Sequence, residues 1–319
     1  MTQCSTQHPD TATGAQGRVV VVGSLNMDLV ARVPRLPVAG ETLAGYTFTQ
    51  VAGGKGGNQA VAAARLGAGV AMIGCIGRDA NGASLRAGLL AEGIDCAALG
   101  ESASAATGVA LIVVDEAGRN SIVIVAGSNG ALTPEDIARH EALLGSADVV
   151  VCQLETPPET VAAALAAGRR LNKTVILNPA PATGPVPREW LALVDYLIPN
   201  EVEAAALTGL PIGSPQEAAA AAAALREQGA RNVLITLGAA GILAATEDGT
   251  MHLPAPKVTA VDTTAAGDTF IGAFAAELAR RSSFDTAVRF AQHAAAISVT
   301  RAGAQPSIPT RHEVQAFAV

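Results

Sequence analysis

Five short runs in the chain are apolar at nearly every position rather than at alternate ones: "RVVVVG" (18–23), "VAMIGCIG" (70–77), "DVVVCQLE" (148–155), "TVILNPAP" (174–181) and "NVLITLG" (232–238). Unbroken hydrophobicity over so few residues suits strands covered on both faces, the condition of a parallel sheet. The segments between them are rich in Ala and Leu and open on helix-start signals. Thr133-Pro134-Glu135-Asp136 and Ser214-Pro215-Gln216-Glu217 each supply an N-cap hydroxyl, a proline at the first helical position and an acid at the third. Seven alanines, Ala218 to Ala224, extend the second as strong helix formers. This βαβα alternation predicts an α/β fold: a doubly wound, mainly parallel, Rossmann-like sheet.

Two segments break the rhythm. Residues 27–51 carry no helical period and read as irregular strands, and residues 107–129 read as a hairpin turning at Asp115–Asn120. Neither can cross a parallel sheet as a helix does. They are therefore expected to form a small β-lid over the sheet's active edge, within a single α/β domain spanning 18–319. Residues 1–17, "MTQCSTQHPDTATGAQG", lack the basic start and apolar core of a secretory signal. They read as a disordered leader, with a targeting role as the alternative.

Of the 319 residues, 50% are hydrophobic, enough for a sizeable core. A net charge of −7 without any basic cluster argues against nucleic acid or a membrane surface as partner. No apolar run approaches the roughly 20 residues of a membrane span. Of the four cysteines, Cys75 and Cys152 sit in strand-like runs, Cys96 in a polar connection and Cys4 in the leader, with no C-x-x-C pair. That usage fits a reducing compartment, so a soluble cytoplasmic protein is expected.

The familiar phosphate motifs fail by position. The nearest approach to G-x-x-x-x-G-K-[ST] is Gly54-Lys55, which has Thr49 where the first glycine belongs, and no G-x-G-x-x-G follows the first strand. The histidines at 8, 140, 252, 293 and 312 pair with nothing at metal-ligand spacing. Two glycine-rich segments remain. In "AGGKGGNQAVAAARLGA" (52–68), glycines surround Lys55 and a helical pattern starts near Asn58. Such a segment can bring amides and polar side chains to a ligand, or be a plain flexible loop. In "VDTTAAGDTF" (261–270), small residues Ala265, Ala266 and Gly267 lead into a helix, so their amides could hold an anion. The carboxylate that follows, Asp268, would either work on a proton beside that anion or serve as a helix-start acid.

"GSLNMDLV", "AGGKGGNQA", "QLE", "NPAPA", "PNEVEA", "LITLGAAG", "DTTAAGDTF" and "TRAGAQPSIP" occur here in one order between residues 23 and 309, within a likeness running from about 18 to about 316. In that order and spacing the chain resembles the PfkB-type carbohydrate kinases. The resemblance implies ATP-dependent phosphorylation of D-ribose at O5, with Asp268 as general base and the amides of Ala265, Ala266 and Gly267 as the anion hole for the transferring phosphoryl group. It puts Asn26, Asp28, Gly54, Lys55, Asn58 and Glu155 on the sugar. Asn26 and Asp28 could otherwise make an Asx turn, and Glu155 could be a helix-start acid. It puts Asn200, Glu203, Thr236, Gly238 and Gly241 on ATP, with Glu203 ordering Mg²⁺ and its waters. Asn200 and Glu203 could instead be an N-cap and a helical acid. It implies a K⁺ activator held by Asp262, Thr264, Ser298, Arg301, Gly303 and Ser307, Arg301 through its carbonyl alone. A homodimer joined through the β-lid is also implied. The chain departs from the family pattern at Gly57, where alanine is common, and at Gln292, where His or Asn is common near adenine; Gln292 is left out of the expected ATP set, and His293 should point elsewhere. Rival readings are a kinase acting on deoxyribose, a ketosugar acid or a nucleoside, and a non-catalytic sugar or nucleotide sensor.

Overall fold

The computed structural model describes residues 17–182 and 184–317. Except for Gly17, the expected leader lies outside the described residues. Seven parallel strands form the centre of the large sheet: β1 (Arg18–Val22), β4 (Gly69–Gly77), β5 (Leu99–Ser102), β8 (Val149–Cys152), β9 (Thr174–Leu177), β10 (Tyr196–Leu197) and β11 (Asn232–Thr236). All five continuous apolar runs are among them. An antiparallel pair, β12 (Ile242–Thr246) and β13 (Gly249–Leu253), extends one edge, giving the order β13-β12-β11-β10-β9-β8-β1-β4-β5. Neither β12 nor β13 was expected, nor were the short strands β5 and β10. β12 and β13 are joined at Glu247-Asp248 before Gly249, so a D-G turn signal was there to be read.

Burial on both faces is visible residue by residue. Val19 and Val21 of β1 join a core cluster with α1 (Lys55–Arg65), α2 (Ala80–Ala91), α9 (Ala266–Ala279), α10 (Phe284–Ser298) and α11 (Arg311–Phe317). Val20 and Val22 point the other way, into a second cluster with α3 (Pro134–Arg139), α4 (Glu141–Gly145), α5 (Pro158–Arg170), α6 (Arg188–Leu191), α7 (Glu201–Thr208) and α8 (Pro215–Glu227). The expected caps are in place: Thr133 and Asp136 form a capping box on α3, and Ser214 accepts from the amide of Glu217 on α8. Cys96, read as lying in a polar connection, is buried.

The lid is a separate four-stranded sheet in the order β3-β2-β6-β7, formed by β2 (Asn26–Arg32), β3 (Thr47–Gly53), β6 (Gly108–Val114) and β7 (Asn120–Val125). The β6–β7 hairpin turns through Asp115, whose carboxylate accepts from the amides of Ala117 and Arg119. The 27–51 stretch is more regular than its sequence suggested: β2 pairs with β3 over seven residues and with β6 over seven. Among the described residues, no helix is long and apolar enough to cross a membrane.

Candidate active site

The sheet order reverses between β1 and β8, which sets a crevice at their C-terminal ends. The chain leaving each strand meets there, where Ser24 Oγ donates to Glu155 Oε2 at 2.5 Å. The start of α1 fills the same place. Lys55 donates its amide to Glu155 Oε2 (3.2 Å), Gly56 to Ser24 Oγ (3.4 Å), Gly57 to the Ser24 carbonyl (2.9 Å) and Asn58 to the Gly54 carbonyl (2.9 Å). The helix thus begins at Lys55, three residues before the expected start near Asn58, with Gly54 turning the chain into it at φ 83°. The first-turn amides are all used within the chain, so the N-terminal turn of α1 offers none of them to an anion. Its Lys55 and Asn58 side chains remain as its contribution.

The helix carrying Asp268 starts differently. Ala265 takes the left-handed conformation at the N-cap (φ 58°, ψ 14°). The Ala266 amide donates to the Thr263 carbonyl at 3.2 Å. Those of Ala265, Gly267 and Asp268 have no acceptor among the described residues. Three free amides therefore stand where a helix dipole favours negative charge. The set differs from the expected one, with the Asp268 amide in place of that of Ala266, because the tight turn uses the latter. Asp268 is buried, 9% exposed as a residue. Its Oδ2 accepts from Asn58 Nδ2 at 3.0 Å and its Oδ1 from Gln59 Nε2 at 2.9 Å.

Charges converge on this point. The Asp28 carboxyl is pushed up to about 7 by burial first, then by the negative charges of Glu155 and Asp268. Burial pulls the Lys55 ammonium down, but Asp268, Glu155 and Glu203 together hold it above its ordinary value. Burial also raises Glu203, against the Asn200 amide and Lys55, which favour its charged form. A single lysine thus sits among carboxylates whose mutual repulsion a polyhydroxyl ligand would relieve by hydrogen bonding.

β2 brings Asn26 and Asp28 from the lid to the crevice. Asn26 Oδ1 accepts from Asn129 Nδ2 at 2.8 Å, and Asn129 is itself pinned to both the amide and the carbonyl of Leu25. Asn26 is accordingly oriented with its oxygen occupied, and neither it nor Asp28 is described by a simple Asx turn. Asn200 and Glu203 form a reciprocal capping box on α7, Glu203 N to Asn200 Oδ1 at 2.8 Å and Asn200 N to Glu203 Oε2 at 2.9 Å. They cap a helix and also line the site.

Two adjoining cavities share Thr236, Thr263, Ala266 and Gly267. The polar one, about 160 Å³, is lined by Lys55, Asn200, Glu203, Ala265 and Asp268 among others. The apolar one, about 400 Å³, is lined by Gly238, Gly241, Ile242, Phe270, Gln292 and Val299 among others. Gln292 donates to the Leu253 (3.0 Å) and Pro254 (3.3 Å) carbonyls, whereas His293 packs on Phe317. A Cβ on Gly267 or Gly238 would meet nothing within 4 Å, so both face open space.

The segments expected to hold K⁺ lie together. Asp262 Oδ1 accepts from the Thr264 amide (2.9 Å) and hydroxyl (2.6 Å), and its Oδ2 from the Gly303 amide (2.8 Å). The Ser298 and Ser307 hydroxyls donate to the Ala295 and Ala304 carbonyls, and the Arg301 guanidinium is paired with Glu313. The Arg301 side chain is thus committed elsewhere. Among the described residues, no three His, Cys, Asp or Glu side chains form a metal cage. A divalent ion here would depend on nucleotide phosphates and water, the usual habit of Mg²⁺.

Sequence reasoning missed Ser24, Gln59, Asn129, Gln153 and Asn178. Gln59 and Gln153 stood inside quoted motifs, beside Asn58 and two residues before Glu155, but nothing local marks a buried amide as a tether.

Residues 16–311 match the family described as pfkB family carbohydrate kinase. The chain is 44% identical over 299 residues to a ribokinase of Haemophilus influenzae, covering 94% of this chain and 97% of that one. It is 38% identical over 292 residues to a deoxyribokinase of Salmonella typhi, covering 92% and 95%. An Arabidopsis thaliana ribokinase structure complexed with ribose and ATP superposes with a TM-score of 0.89 at 33% identity, covering 95% of this chain and 98% of that one. With the matched region running from before β1 into α11, the chain belongs to the pfkB family of carbohydrate kinases.

Proposed function

We infer that this chain phosphorylates D-ribose at O5, using ATP as phosphoryl donor. The observation that carries the chemistry is the pairing of one buried carboxylate, Asp268, with free amides on the same first helical turn. Asp268 accepts the hydroxyl proton as that oxygen attacks the γ-phosphorus, and the amides of Ala265, Gly267 and Asp268 stabilise charge on the transferring group. Asn26, Asp28, Lys55 and Glu155 read the sugar hydroxyls, with Gly54 shaping the turn beneath them. Asn58 joins them and also orients Asp268. The apolar cavity takes the base and ribose of ATP, and the polar cavity its phosphates, beside Asn200 and Thr236.

The oxygen-rich lining around Asn200 and Glu203 fits Mg²⁺ with its waters, which would supply charge neutralisation along the phosphates. Asp262 and the carbonyls of the 298–307 segment fit K⁺, whose place would be to steady the turn leading into α9. A cytoplasmic location is supported by the free thiols Cys75, Cys96 and Cys152. The exposed apolar side chains Ile122, Val123, Ile124 and Val125 on β7, with Phe48 on β3, favour a homodimer through the lid. A monomer mass in sedimentation at micromolar concentration would rule that dimer out.

Deoxyribose is the second reading, favoured by the deoxyribokinase likeness at 38% identity against 44%. Asn26, oriented by Asn129 at the crevice, argues for ribose, since a polar site built around a hydroxyl leaves groups unpaired when it is missing. A coupled ADP-release assay across ribose, deoxyribose, fructose, ketodeoxygluconate and nucleosides decides the matter. Ribose should give the highest kcat/KM, and the rate should fall when Na⁺ replaces K⁺. Turnover greatest with another acceptor, or a rate indifferent to the cation, would sink the corresponding assignment.

A further inference from the structure

Gln59 is fully buried and lines neither cavity, yet it makes three side-chain hydrogen bonds at the centre of the site. Its Nε2 donates to Asp268 Oδ1 (2.9 Å) and to Asn178 Oδ1 (3.1 Å), and its Oε1 accepts from Gln153 Nε2 (2.7 Å). The direction of these bonds is forced. An ionised carboxylate can only accept, and Asn178 must present its oxygen because its Nδ2 donates to the Ile198 carbonyl at 2.9 Å. Both therefore demand N–H groups from Gln59, and its oxygen must then face Gln153. Gln153 completes the relay at a cost, since its own Oε1 is buried without a partner.

We propose that Gln59 is a positioning residue for phosphoryl transfer, locking the plane of the Asp268 carboxylate by tying it through Asn178 and Gln153 to the strand ends of the parallel sheet. The proposal rests on Asp268 being the base. Asn58, on the neighbouring position of α1, holds the other oxygen, so both carboxylate oxygens are fixed while each retains a second lone pair. Fixing the plane matters because the proton acceptor must be aligned with an incoming hydroxyl, and a displacement of about 1 Å can lower a rate about 100-fold. The ionisable groups facing Asp268 are Asp28 from β2, Lys55 from α1 and Glu203 from α7. Gln59 adds a neutral donor to that set.

The test is steady-state kinetics of Gln59→Leu, Gln153→Leu and Asp268→Asn side by side, each checked for native fold by circular dichroism. Gln59→Leu should lower kcat about 10- to 100-fold, with KM for ribose and ATP changed less than about threefold. Gln153→Leu touches neither Asp268 nor a cavity, and should give a smaller kcat loss, about 3- to 10-fold, again with KM preserved. It carries the test if Gln59→Leu fails to fold. Unchanged kcat in the folded variants, or a rise in KM at constant kcat, would overturn the proposal. If Asp268→Asn is inactive while the glutamine variants behave as wild type, only the positioning role fails. If Asp268→Asn still turns over, the reading of Asp268 as base fails with it.

Discussion

Two helices, α1 and α9, open on glycine-rich turns at the same crevice, and their N-termini have opposite fates. At α1 the amides are consumed by Glu155, Ser24 and Gly54, and a Cβ on Gly56 would lie 2.6 Å from the Ser24 nitrogen. Glycine there serves close packing of a helix on the turn after β1. At α9 three amides are left open, and a Cβ on Gly267 would meet nothing. Glycine there leaves room for a ligand. Composition alone does not distinguish an anion site from a packing contact. The difference lies in whether some other part of the chain brings an acceptor, and at α1 that acceptor is a carboxylate 100 residues away.

The sharpest test of the contrast is Asp268→Asn, which keeps the shape of the α9 turn and removes the proposed base. Turnover should fall at least about 100-fold while ATP and ribose still bind by calorimetry; near-normal turnover would end the comparison. Next come paired glycine substitutions. Gly267→Ala should leave the melting temperature unchanged or slightly raised, since alanine is the better helix former, while kcat drops about tenfold or more as a methyl crowds the open amides. Gly56→Ala should do the reverse in kind, destabilising the fold by about 1–3 kcal/mol in urea titration through overpacking against Ser24. Equal effects of the two on stability would show that both turns are packing contacts.

The smallest effect concerns the lid's acid. A carboxyl whose affinity for its proton is raised in the folded state, from 3.8 to about 7 for Asp28, costs stability above that pH and progressively less as pH falls toward its unfolded value. Asp28→Asn should therefore raise the melting temperature of the ligand-free protein by about 2–4 °C at alkaline pH. The gain should shrink on acidification and vanish near the ordinary carboxylate range, while ribose affinity drops. A gain independent of pH would assign the effect to packing rather than charge.

The large sheet was legible because continuous apolar runs mean burial on both faces, and α3 and α8 because their caps are local. The lid was legible by exclusion, as segments with no helical period. The β12–β13 hairpin escaped because the apolar run of β12, Ile242 to Ala245, also suits an Ala/Leu-rich helical segment and β13 is mostly exposed, although its turn residues were in view. The ordered motifs pointed to Asp268, Lys55 and Glu155, which the fold brings to one crevice. The amide relay through Gln59, Gln153 and Asn178 was not, because each side chain is unremarkable alone and the bonds link positions up to 209 residues apart. The starting point of α1 was missed for a related reason. Glycines near Lys55 argue against a helix until Glu155 and Ser24 are there to satisfy its first amides.

Asn58 and Asp268 hydrogen-bond across 210 residues of sequence. The ribosome therefore delivers Asn58 early and the proposed proton acceptor near the end, after the whole main sheet has been made. Any chain cut short of Asp268 lacks the carboxylate proposed as base, so on that reading unfinished copies emerging during synthesis cannot consume ATP.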